Sequence, residues 1–208
     1  MANTFGNSYG LTTLCPLIDG HENTISFEKL TRLRLQQLEE DGGSPFARIP
    51  DTYFSRLFIL NDVFFEQGND VARDHLQSKY LVFTSNFHGT LEPYLTGMWR
   101  NAEQDIRHIW QYAVAFDKVH NADDFITYIR KCQLTTTLFF NGSTDDPLKV
   151  QLKSLYVKQL FSEFVLAHQG KPVSELRPAF HALMQQLQLS NMDEPRWQPG
   201  QTHLSPAH

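Results

Sequence analysis

Between Leu11 and Phe116 the chain passes through six patterned runs in the order β-α-β-β-α-β, and this order restricts the fold more than any single motif. LTTLCPLI, Leu11 to Ile18, has strand character and stops at the turn residues Asp19 and Gly20. In HENTISFEKLTRLRLQQLEED, Phe27, Leu30, Leu35 and Leu38 fall on one face at about 100° per residue. That spacing predicts a helix capped at Asn23 or Thr24 and ended by Gly42–Gly43. TYFSRLFIL, Thr52 to Leu60, is a short aromatic strand, and KYLVFTSNF, from Lys79, is a third. TLEPYLTGMWRNAEQDIRHIWQY reads as one helix or two, with Thr90 as cap and Pro93 confined to the first turn. AVAF, Ala113 to Phe116, supplies a short fourth strand.

The split βαβ order predicts an α+β fold with a ferredoxin-like antiparallel sheet and both helices on one face. The other face is then bare, yet the strands are apolar on both sides. Tyr53, Ser55, Leu57 and Ile59 alternate with Phe54, Arg56, Phe58 and Leu60. An exposed apolar sheet face needs a cover. In this order of elements the first 116 residues or so resemble the dimeric α+β barrel superfamily. There, two sheets pack bare face to bare face around a cavity; members include small monooxygenases and the haem-binding chlorite dismutase and dye-decolorizing peroxidase groups. The resemblance implies a homodimer, a small and partly apolar ligand in a sheet-lined cavity, and an oxidative role with haem as one cofactor. It rests on element order and carries over no catalytic residue. The alternative is a non-enzymatic module for dimerisation or docking.

Beyond Phe116 the pattern predicts an α-β-α-α extension. ADDFITYIRKCQ is helical and LTTTLFF, Leu134 to Phe140, is strand-like. The longest helix opens with Pro147 in its first turn and closes at Gly170. Its residues Leu152, Leu155, Tyr156, Leu160, Phe161, Phe164 and Val165 span a wide arc, so Phe161 and Phe164 should be buried. A last helix covers Leu176 to Leu187. The expected organisation is one domain over residues 1–190, with a core at about 11–116, an extension at about 117–190, and a disordered polar tail over 191–208. The extension is a second way to cover the bare face.

Composition narrows the function classes. A formal net charge of −5 with no basic stripe argues against a nucleic-acid surface. The two cysteines, Cys15 and Cys132, lie far apart and form neither a disulfide framework nor a zinc pattern, which suits a reducing compartment. MANTFGNSYG lacks the features of a signal peptide, and no apolar run approaches a membrane span of about 20 residues. A soluble, cytoplasmic protein is expected. GxGxxG, GxxxxGK[ST] and HExxH are missing from the sequence.

The candidate residues are therefore few. His88, in FHGT after the third strand, can act as a general base or a ligand at a cavity mouth, or simply bond nearby backbone. Arg56, between Phe54 and Phe58, needs an anion or acceptors if buried, so it is a candidate clamp for a ligand carboxylate, a structural partner of an internal acid or of backbone carbonyls, or a strand-end arginine reaching water. His108, beside Ile106, Ile109 and Trp110, can ligate haem iron or sit at a helix boundary. His168 near Gly170 suits helix capping. Cys15 reads as a small core hydrophobe. The connection from Asn61 to Ser78 is long enough for a lid.

Overall fold

The computed structural model describes residues 3–40, 44–61 and 76–198. The expected lid falls mostly on 62–75 and the end of the tail on 199–208, both outside the described residues. Backbone contacts gather the chain into two units, Met1–Asp145 and Asp146–His208. The boundary lies inside the extension expected at about 117–190.

The first unit is built on a four-stranded antiparallel sheet, in the order β1 (Thr4–Phe5), β2 (Ser8–Pro16), β6 (Tyr80–His88), β5 (Thr52–Leu60). β5 has the bounds expected from sequence, and β6 is displaced by one residue. A two-stranded hairpin, β3 (His21–Glu22) and β4 (Ile25–Ser26), precedes helix α1 (Phe27–Glu40). Asn23 takes a turn conformation in that hairpin, with φ of 55°, so it does not cap the helix. Ser26 does so instead: its Oγ accepts from the Lys29 amide at 3.3 Å.

Helix α2 (Leu91–Trp110) breaks at Ala102, whose φ of −145° is not helical. Asn101 Nδ2 donates to the Gly97 carbonyl at 2.8 Å just before the break. Gly89, at φ +95°, makes the reversal from β6 into α2, a conformation glycine adopts without strain. Thr90 holds the expected cap position, but its hydroxyl makes no capping bond.

The buried core lies between the sheet and the helices. Leu11 and Cys15 of β2, Leu81, Phe83 and Phe87 of β6, and Leu95, Met98, Ile106 and Trp110 of α2 form one cluster. Helix α3 (Ala122–Cys132) adds Phe125 and Ile129. Several hydroxyls in and beside the core pair with one another. Tyr94 Oη lies 2.7 Å from Ser85 Oγ and accepts from Thr52 Oγ1 at 3.2 Å, and Ser55 Oγ lies 3.1 Å from Ser85 Oγ. Ser85 and Thr13 are thus core residues whose polar groups are satisfied, Thr13 by the Phe83 carbonyl.

Two expected strands are not formed. Ala113 makes an isolated antiparallel bridge to Leu17, Ala115 turns left-handed at φ 61°, and a 3-10 turn begins at Phe116. Two hydrogen bonds, Ile18 N to Tyr112 O and Val114 N to Pro16 O, complete the contact. Leu134–Phe140 is likewise no strand. Gln133 bridges Thr13 and the Leu134 amide donates to the Thr12 carbonyl, then pairing ends. Asn3 intercepts the segment through Leu134 O, Thr136 Oγ1 and the Thr136 amide, and Phe139 lies against Gly10, where a Cβ would stand 2.7 Å from its ring. Side-chain anchoring has replaced the backbone ladder.

The second unit holds α4 (Leu148–Ala167) and α5 (Val173–Leu187). Phe164 and Phe180 meet edge to face at 6.0 Å, and Lys153, though buried, donates to the Pro195 carbonyl at 2.8 Å. Residues 191–198 of the expected tail are placed, and the Trp197 amide donates to the Leu152 carbonyl. The expected burial of Phe161 and Phe164 is not met: Phe161 is 48% exposed and Phe164 only half-buried. Within its unit α4 has a single helix to pack on, and one partner covers a stripe rather than a wide arc.

Candidate functional site

The register of the sheet decides which side chains share its open face. Phe54, Arg56 and Phe58 of β5 pair with Asn86, Thr84 and Val82 of β6, which pair in turn with Gly10, Thr12 and Leu14 of β2. The opposite face points Leu57, Phe83, Leu81 and Cys15 into the core. On the open face Phe54 and Phe58 are nearly half exposed, 44% and 46%, while Val82 between the strands is buried. Arg56 lays its guanidinium over the Phe54 ring at 4.8 Å. Across from it, Thr84 Oγ1 is buried and has no hydrogen-bond partner among the described residues.

His88 closes one end of this face. A register shift between Thr52 and Phe54 puts Tyr53 in the irregular position, and its Oη lies 2.9 Å from His88 Nδ1. The His88 amide donates to the Asp51 carbonyl, and the Gly89 amide to Asn7 O. Ser8, the register partner of His88, donates from Oγ to Asp145 at 3.1 Å and accepts from Asn141 Nδ2 at 2.6 Å. The Asn7 amide also donates to both Asp145 oxygens, at 3.0 and 2.9 Å. The Asn7 amide above all, with the Ser8 hydroxyl and the nearby His88, holds the Asp145 carboxyl below its ordinary value despite some desolvation.

His88 and Arg56 thus belong to one face but to different parts of it. Arg56 faces Thr84, four residues before His88, so roughly 13 Å of strand separates them. His108 lies elsewhere, on the solvent side of α2, with Ile106, Ile109 and Trp110 buried on the other side. Its carbonyl accepts from Arg34, and burial together with the Arg34 charge lowers its pKa. Gln104, Arg107 and Gln111 surround it, which is no apolar slot for a haem edge. His168 Nδ1 donates to the Phe164 carbonyl at 2.8 Å, closing α4 as a capping residue does.

Elsewhere in this unit, a hollow of about 650 Å³ opens beside Asp19, Glu28 and Lys79. Desolvation opposes ionisation of Glu28, but bonds from Arg32, Asn61 and Lys79 outweigh it and keep the carboxyl below its ordinary value. No cluster of three or more His, Cys, Asp or Glu suited to a metal occurs among the described residues. No helix among them is long and apolar enough to cross a membrane.

Tyr53 and Asp145 were not legible as site residues. The alternation of β5 assigns Tyr53 to the core face, and only the bulge turns it toward His88. Asp145 arrives from far along the chain. Comparison with protein-family models, curated proteins and solved structures finds no match to the chain.

Proposed function

We propose that the open sheet face binds a small, partly apolar ligand through an anionic group, with a second copy of the chain closing over it. The observation that carries this is the Arg56–Thr84 rung. A guanidinium and a buried hydroxyl without a partner among the described residues stand side by side there, framed by Phe54, Phe58 and Val82. A ligand carboxylate would accept from both groups, with charge assistance from Arg56, and its apolar remainder would lie against the rings. In this proposal the sheet is ferredoxin-like, with its fourth strand cut down to the Leu17–Ala113 bridge on the outer side of β2. Face-to-face pairing, as in the dimeric α+β barrels, would then cover Phe54 and Phe58.

A pairing module without ligand is the second reading, favoured by the same half-exposed rings. Calorimetric titration with phenylacetate and with its neutral amide separates the two. The first reading expects the carboxylate to bind at least tenfold more tightly, with the preference lost in Arg56→Gln and reduced in Thr84→Val. Equal binding of acid and amide, or an unchanged Arg56→Gln, would refute it. A dimer in sedimentation that Phe58→Glu dissociates, with no ligand preference, would establish the second.

A further inference from the structure

The open sheet face is not bare across its whole width. Gly10 shares that face with Thr12 and Leu14 of β2, and a Cβ built on it would stand 2.7 Å from the Phe139 ring. The ring therefore lies on the face, over the only residue of β2 without a side chain. Gly10 is not among the positive-φ residues, so its backbone would accept another residue and the space above it would not. The chain is tied down on both sides of the ring. Before it, Asn3 bonds the Leu134 carbonyl and the Thr136 hydroxyl and amide. After it, Asn141 Nδ2 donates to Ser8 Oγ at 2.6 Å. Leu138 and Phe140 are mostly exposed, so Phe139 is the residue of this apolar run that turns to the sheet.

The register sets what stands opposite. Gly10 pairs with Asn86, and Asn86 with Phe54. Phe139 and Phe54 are thus two strand spacings apart, about 10 Å, with Asn86 on the floor between them. One flat ring in contact on both sides needs about 7 Å, two carbon contacts of roughly 3.5 Å. Arg56 and Thr84 occupy the next rung of the same face, two residues along each strand and roughly 7 Å away. A carboxylate on a short arm from such a ring reaches them.

We propose that the ligand of this face is a flat aromatic carboxylate, with its ring between Phe54 and Phe139 and its anion on Arg56 and Thr84. This rests on the carboxylate reading above and adds the class of the apolar part. The positive charge of Arg56 selects the anionic end. The two rings favour a π-face over a saturated group, because offset-stacked and edge-to-face pairs gain more than the area they bury. Phe139 is the specificity residue, and Gly10 is its seat. The ties at Asn3 and Asn141 hold the ring in place before a ligand arrives, which lowers the ordering cost of binding.

The test is calorimetric titration of the full chain with phenylacetate, its amide and cyclohexylacetate. Cyclohexylacetate carries the same anion and similar bulk but no π-face. Phenylacetate should bind the unsubstituted chain about tenfold more tightly than cyclohexylacetate, the gain from two ring pairs. Its ring protons should shift upfield on binding and show NOEs to both Phe54 and Phe139. Phe139→Leu should remove most of the ring preference, as should Gly10→Ala, whose Cβ displaces the ring. Equal binding of the two acids, or NOEs to Phe54 without Phe139, would overturn this inference, and a preference for acid over amide would then leave the carboxylate reading standing. Equal binding of acid and amide overturns both. So does failure of either acid to bind, the result expected if side chains of a second copy fill the gap. The unsubstituted chain separates these outcomes, so a variant that misfolds does not blunt the test.

Discussion

Tyr53 Oη and His88 Nδ1 are 2.9 Å apart because a register irregularity at the start of β5 turns the tyrosine toward the end of β6. The bond fixes the imidazole at the edge of the open face. Tyr53→Phe should therefore lower stability by about 0.5–1.5 kcal/mol in urea unfolding, the ordinary net value of one hydrogen bond. The His88 ring nitrogen signals in NMR should shift with it; unchanged signals would show that the ring is held by other contacts.

Ser85 is a second hinge of the fold's polar chemistry. Ser85→Ala removes a bond to Tyr94 in a buried site and leaves the Tyr94 hydroxyl its bond from Thr52. A cost of about 1–3 kcal/mol is expected, measured by chemical denaturation. A neutral outcome would mean that the phenol finds a new partner.

On α4 the same truncation should give very different results at two positions. Leu152→Ala, at a buried site, should cost about 2–5 kcal/mol, whereas Phe161→Ala should cost less than about 1 kcal/mol. A large loss at Phe161, measured on the isolated chain by thermal or urea unfolding, would show that its ring is covered in solution.

Acid should loosen the segment that Asp145 ties to the β1–β2 turn. The folded value lies below the ordinary 3.8, so the tie contributes fully above that value and is lost as pH falls through the folded one. Amide exchange at Asn7, whose N–H the carboxylate accepts, should accelerate selectively in that acid range. Asp145→Asn should raise the exchange at neutral pH and remove the acid step.

Alkylation of Cys132 by iodoacetamide should rise with a midpoint near pH 7, slow below it and fast above it. A midpoint near that of free cysteine in the unsubstituted chain would contradict this expectation.

The elements that sequence periodicity located best are those that neighbours on both sides reinforce. β5, β6 and α2 are each stabilised by pairing or by a buried face, so local pattern and tertiary demand agree. AVAF and LTTTLFF carry equal strand propensity, but Ala115 turns left-handed and Asn3 takes the hydrogen bonds of Thr136. Propensity cannot register such competition. His88 and Arg56 were found as chemically capable residues, yet the separation along β6 and the partnership with Tyr53 depend on register. The apolarity of Phe161 was plain, but how many helices are available to cover it is not written in α4 itself.

The outer side of β2 is occupied along much of its length, first by β1, then by the Gln133 bridge, and at the far end by the bridge to Ala113. An incoming strand seeking unpaired amides and carbonyls therefore meets a margin already in use. Fibril-like growth from this side would first have to peel away the bridges, so intermittent bridging can guard a sheet border against polymerisation without a full additional strand.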